Sequence, residues 1–158
     1  MSLVRITERD GQRRGFSTLE LVLALALLAL ALVILVPRLS PRPLYLTADA
    51  QELAANLKVA RSFAQSRSTH YQVRVASSTQ YVVERGELVG SVWTFPVTER
   101  TVTLRPGIAF SAADVGKAVS FDSRGRVVGS EVTFTLVDGA RGWTRPVVVR
   151  VTGLVEMP

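Results

Sequence analysis

The chain contains no cysteine, which excludes disulfides and thiolate metal sites. It contains one histidine, His70, so metal clusters built on His and Cys are excluded by count. A single histidine at a helix-to-strand transition, without a mechanistic partner in view, reads as structural or solvated. The acids of the second half (Glu84, Glu87, Glu99, Asp114, Asp122, Glu131, Asp138, Glu156) are dispersed, and neither EF-hand spacing nor a P-loop is present. Aromatics are scarce at 7%, and Trp93 and Trp143 read as core or loop-packing residues rather than a binding platform. There is no run of like charge. Net charge is +6, and residues 1–15 carry Arg5, Arg9, Arg13 and Arg14 against Glu8 and Asp10. The remaining excess is spread thinly, which permits an acidic partner without demanding one. No enzyme signature, metal site or cofactor site emerges.

What is present is one long apolar block. Leu21 to Val36 is unbroken, and Phe16 to Val36 would rise roughly 30 Å as a helix, the thickness of a bilayer core. Leu and Ala dominate it, and both favour helix. The arginines lie mainly on its N-terminal side, which predicts a cytoplasmic N-terminus and a translocated C-terminal domain, against the weaker opposing pull of Arg38 and Arg42. A secretory signal peptide would be shorter, with its cleavage site close behind. The small-residue pair in Ala48-Asp49-Ala50 lies well beyond the block, behind Pro37, Pro41 and Pro43. Neither a signal peptide nor a plain anchor explains Glu20. A carboxylate at the bilayer centre costs about 2.5–3.5 kcal/mol, less near an interface, and such a residue normally has a partner.

Arg14-Gly15-Phe16-Ser17-Thr18-Leu19-Glu20-Leu21 resembles the prepilin-type processing and methylation motif of type IV pilins and type II secretion pseudopilins. The resemblance implies cleavage between Gly15 and Phe16 by a prepilin peptidase, N-methylation of Phe16, and retention of the apolar helix. It makes Glu20 the assembly glutamate. After cleavage Phe16 carries a cationic amine, and in a filament the carboxylate of one subunit can neutralise the amine of its neighbour. Each charge is costly alone in a low-dielectric bundle, and the pair is less so.

Pro37, Pro41 and Pro43 predict a kink and then a hinge over residues 38–46. Thr47 or Asp49 is a candidate cap for a second helix. Ala50, Leu53, Ala54, Leu57, Ala60, Phe63 and Ala64 follow 3.6-residue spacing, so a helix is predicted over 47–67 with one apolar face. From His70 onward short alternating segments are separated by turns, at Arg85-Gly86-Glu87, Pro106-Gly107, Ser123-Arg124-Gly125 and 138–142. Pro96 divides Ser91–Phe95 from Val97–Leu104. One helix followed by many short strands predicts an α+β fold with antiparallel sheets.

Leu53 to Ala64, with its Ala60-Arg61 pair, is similar to the helix of the GspH/FimT group of minor pilins and pseudopilins. Tyr71-Gln72-Val73-Arg74-Val75 resembles the strand that follows. Phe121-Asp122-Ser123-Arg124-Gly125-Arg126 and Arg145 to Gly153 resemble the group's turn and final strand. The resemblance implies a type IV pilin-like fold, in which a long N-terminal helix carries a small antiparallel β-sandwich. The expected organisation is a leader 1–15, a transmembrane and filament-core helix 16–37, a proline-rich hinge 38–46 and a periplasmic domain 47–158. The implied partners are other major and minor pilins, the prepilin peptidase, inner-membrane lipid and an exported protein.

Two roles compete within this resemblance. One is a minor pseudopilin near the tip of a type II secretion pseudopilus. The other is a FimT-like minor pilin for pilus assembly, adhesion or DNA uptake. FimT-like members that bind DNA use a Gly-Arg-x-Arg segment, whereas the matching position here reads Gly153-Leu154-Val155-Glu156. That argues against this DNA site, since phosphate binding needs clustered cations. Arg124, Arg126 and Arg150 remain the residues that could touch a nucleic acid.

Overall fold

The structure is a computed structural model that describes residues 17–35 and 42–158. The chain divides into two units, 1–40 and 41–158. The first holds helix α1 (Thr18–Leu35). Ser17 starts it, accepting a hydrogen bond from the Leu19 N–H on its Oγ at 3.3 Å, as an N-cap does. Among the described residues no helix is long and apolar enough to cross a membrane. The segment 16–37 predicted to do so runs at both ends into residues outside the described ones, Phe16, Val36 and Pro37 among them.

The second unit opens with helix α2 (Arg42–Ser66) and continues in eight strands. β1 (Tyr71–Ser77), β2 (Gln80–Val89), β3 (Val92–Thr103) and β5 (Ala118–Phe121) form one antiparallel sheet in the order β3-β2-β1-β5. β4 (Ile108–Phe110), β6 (Val132–Asp138), β7 (Thr144–Val149) and β8 (Val155–Glu156) form the other, in the order β4-β6-β7-β8. α2 packs against strands of both sheets. Its Ala50, Leu53, Ala54, Leu57, Ala60 and Ala64 are buried, as their spacing predicts. They meet Tyr71, Val73, Tyr81 and Phe121 of one sheet and Phe134, Leu136, Val147 and Val149 of the other in a single core. The α+β fold with antiparallel sheets is thus observed.

Four elements differ from the sequence expectation. α2 starts at Arg42, so residues 42–46 are helical and not hinge. Pro43 sits in the first turn, where its missing N–H has no intrahelical acceptor to lose. Pro37 and Pro41 lie outside the described residues. Asp49 caps nothing. It is buried inside α2, where it accepts the Arg105 backbone N–H at 3.0 Å and pairs with the Arg105 guanidinium. Burial raises its pKa, against the pull of Arg105.

The turn expected at Arg85-Gly86-Glu87 is instead the middle of β2, where the pairing with β3 shifts register. Gly86 is needed there because a Cβ would lie 3.1 Å from both His70 and Phe95. The chain turns later, beyond Val89. β3 runs straight through Pro96, which an edge strand tolerates because the missing donor faces away from the ladder. Arg126–Val128, expected as a strand, contributes only a single bridge, Phe121 to Val127.

Candidate functional site

α1 presents an unusual surface. Leu19, Leu21, Val22, Leu23, Leu25, Leu27, Leu28 and Leu30 are all more than half exposed, and they surround the axis rather than lining one face. A helix that is apolar all round belongs in a lipid or protein interior. Glu20 lies in its first turn, where the partial positive charge of the helix N-terminus favours a carboxylate. Ser17 and Glu20 have the spacing of a capping box, but the Ser17 hydroxyl accepts from the Leu19 amide and not from that of Glu20. The Glu20 carboxylate is exposed and has no partner among the described residues. Gly15 and Phe16, where the motif predicts cleavage and methylation, lie outside the described residues.

In the domain, three polar constellations tie α2 to its strands. The first holds the helix middle. Asn56 is buried, and its Nδ2 donates to the Tyr81 hydroxyl at 2.6 Å while its Oδ1 accepts from Arg100 at 2.9 Å. Burial pushes the Tyr81 phenol up to about 12. A cavity of ≈ 210 Å³ opens beside this group, lined by Asn56, Val59, Phe63, Val83, Glu99 and Arg100. It holds no nucleophile–base pair.

The second constellation holds the helix end to sheet strands β1 and β3. Arg67 donates to the Tyr71 hydroxyl at 2.5 Å and to Glu99 Oε1 at 2.7 Å, and Tyr71 donates to the same carboxylate at 2.8 Å. Burial raises the Tyr71 pKa, with the bond to Glu99 adding to it.

The third ties the helix end to two distant turns. Arg61 Nη1 donates to the Gly153 carbonyl at 3.1 Å, and Gln65 Nε2 donates to the Arg124 carbonyl at 3.0 Å. Gly125 and Gly153 both take positive φ, +75° and +79°. A Cβ on Gly153 would run into the Gly125 carbonyl and the Arg61 side chain, and one on Gly125 would lie 2.7 Å from Gln65. The Ala60-Arg61 pair and the two glycines, far apart in the chain, are therefore one packed unit.

The basic candidates separate. Arg124 and Arg126 share a turn whose backbone N–H groups both donate to Asp122 Oδ1 at 2.9 Å. Both side chains are exposed and have no ion pair among the described residues. Arg150 is different. It donates to Glu131 at 2.7 Å and to Glu156 at 3.0 Å. Those bonds, Glu131 first, raise its pKa and cancel its charge. Arg150 is engaged by two acids, whereas Arg124 and Arg126 have no ion pair among the described residues, so the three do not act as one free cationic cluster.

His70 stacks face to face on Trp93, with centroids 3.9 Å apart and planes 8° apart. Burial lowers its pKa, and Asp122 opposes this. Trp143 is half exposed, with Arg141 over its ring at 4.9 Å. Among the described residues no three His, Asp or Glu side chains converge as metal ligands.

The sequence pattern of the family described as "Type II transport protein GspH" matches residues 49–153. The chain belongs to the GspH family. The matched span runs from buried Asp49 of α2 to Gly153, so it includes the latch formed by Arg61, Gly125 and Gly153. No curated protein matches the sequence. Among solved structures, the GspH-family domain is similar to the Pseudomonas aeruginosa type IV minor pilin FimU, with TM-score 0.59, 18% identity, and 75% of this chain and 91% of that one covered. A second crystal form of FimU gives TM-score 0.56 at 19% identity, covering 72% and 92%. The minor pseudopilin EpsH of the Vibrio cholerae type 2 secretion system gives TM-score 0.53 at 14% identity, covering 72% and 95%. At these identities the likeness is one of fold, and the fold is the type IV pilin-like one.

Proposed function

We propose that this chain is a non-enzymatic minor pseudopilin of a type II secretion pseudopilus. The observation that carries the filament reading is α1, apolar on every side with one carboxylate in its first turn that has no partner among the described residues. The match to the type II transport family favours secretion. Cutting after Gly15 frees the Phe16 amine, which is then methylated. The helix holds the subunit in the inner membrane, N-terminus cytoplasmic, with the domain in the periplasm. Extraction moves the helix from lipid into the filament core, where Glu20 pairs with the amine of a neighbour. The domain remains outside, near the tip, and the growing filament drives exported proteins outward. The competing reading is a FimT-like minor pilin. The pairing of Arg150 with two acids and the arginine-free sequence after Gly153 weigh against its DNA-binding form.

Three measurements test this. The intact mass of the chain purified from membranes is expected to begin at methylated Phe16, and retention of residues 1–15 would refute the pilin reading. Glu20→Ala is expected to leave membrane insertion intact, because it removes a polar group from an apolar helix. It is expected to reduce recovery in the sheared filament fraction. Unchanged incorporation would sink the pairing argument. Loss of protein export on deleting the chain, with pilus functions intact, separates secretion from the pilus role.

A further inference from the structure

The domain's charges are unequally used. Every acid from Asp49 to Glu156 is committed: eight are in ion pairs, and Asp122 and Asp138 bind backbone N–H groups. Cations are left over. Two of them, Arg124 and Arg126, share one turn at the end of the domain where α2 finishes.

That same end carries exposed apolar side chains from three segments. The β2–β3 tip contributes Leu88, Val89 and Val92, at 56%, 63% and 66% exposure. The turns after β5 and β7 contribute Val128, Val151 and Leu154, at 53%, 42% and 50%. Hydrogen-bond register places these segments at one end of the domain. Arg85 and Phe121 both pair with Tyr71 from opposite sides, so β2 and β5 run off the same end of β1. Val127 N–H donates to the Val151 carbonyl at 3.0 Å, which joins the two turns. The platform is rigid, held by the Arg61 and Gln65 bonds and by the His70–Trp93 stack at the base of the β2–β3 tip.

We infer that this end of the domain docks a different pilin-like subunit of the same filament, one that brings its own acids around an apolar contact. The inference rests on the filament reading above. Exposed apolar groups from several segments, rimmed by cations, fit a protein partner of complementary charge. A second copy does not fit, because the domain offers no uncommitted acid to meet Arg124 and Arg126. A contact of unlike surfaces also extends a filament, where a self-complementary one closes a dimer. Two uncommitted cations are few for a phosphate backbone, and valines offer bases nothing to stack on.

The absence of cysteine makes the test direct. Val89→Cys and Leu154→Cys, each in the full chain expressed with the other subunits of its system, would be labelled with a cysteine-directed photocrosslinker. Ala140→Cys, in the loop at the opposite end, is the control. Both test positions are expected to trap the same pilin-like subunit of another sequence, and the control is not. Arg124→Glu with Arg126→Glu is expected to lower that yield roughly tenfold or more, as like charges meet. Homodimers from both test positions overturn the inference, as do adducts to phospholipid or DNA alone. Recovery of the chain in the filament fraction with neither position crosslinked also overturns it, while leaving the filament reading standing. Absence from that fraction, with every position silent, overturns both.

Discussion

Gly153 is the most exacting single position in the domain, and Gly153→Ala measures how much the α2 latch is worth. Its φ of +79° lies where an alanine loses roughly 1–2 kcal/mol to its own backbone, offset by up to about 1 kcal/mol from a stiffer unfolded chain. To this is added the collision. The new methyl would overlap the Gly125 carbonyl and approach Arg61 Nε at 2.9 Å, and overpacking of this kind costs about 1–3 kcal/mol. With each contribution near the middle of its range the total is roughly 2–4 kcal/mol. Gly90→Ala supplies the comparison, because Gly90 has a φ of +64° with nothing within 4 Å, so it carries the backbone cost alone. Both tryptophans lie in the domain, so fluorescence on heating the detergent-solubilised chain reports its unfolding. Gly153→Ala is expected to lower the midpoint by roughly 6–20 °C, well beyond Gly90→Ala. Adding Arg61→Ala should not restore it, since the Gly125 carbonyl still blocks the methyl. Equal midpoints for the two alanine variants would show that the contact between the turns is not close, and would refute the latch.

Two further outcomes follow from the polar groups. Tyr81→Phe leaves the buried Asn56 amide without its 2.6 Å acceptor and is expected to cost about 1–3 kcal/mol in urea unfolding. No change would place water or another acceptor there. Because burial holds the His70 pKa below 6.5, the unfolded chain takes up a proton before the folded one as pH falls. The stabilising contribution is therefore complete above about 6.5 and is lost as pH drops through the lower folded value. His70→Phe keeps a ring against Trp93 and should flatten the dependence of the urea midpoint between about pH 8 and about pH 5. An unaltered slope would mean that other groups carry it.

Periodicity made the buried face of α2 legible, since Ala50, Leu53, Ala54, Leu57, Ala60 and Ala64 are buried as predicted and Phe63 is half-buried. It gives no sign that Asn56 is buried as well. A buried polar residue answers to partners on other elements, here Tyr81 and Arg100, and local pattern carries no trace of them. Gly86 was read as a turn because glycine usually punctuates. In the fold it makes room for His70 and Phe95, a requirement set by a neighbouring strand. Proline was overread for the same reason, as both Pro43 and Pro96 sit where a missing donor is harmless. Arg61 and Gly153 appeared in the family resemblance as isolated letters, and that they touch is visible only in three dimensions. The split among Arg124, Arg126 and Arg150 was equally hidden, because sequence shows where cations are but not which acids have claimed them.

The latch also orders events in time. Arg61 must wait for residue 153, and the loop that closes between them contains most of the domain. Closing so long a loop is entropically costly and comes after local structure, so α2 and the β1–β2–β3 meander can form well before it shuts. A domain that emerges from its site of synthesis in order of sequence is half-built until its last strands arrive. Until then the core face of α2 that β6, β7 and β8 will cover lies open to water, and the apolar helix α1 is close at hand in sequence. Delivery of the final turn is thus the moment at which the domain's core closes over the apolar face of α2.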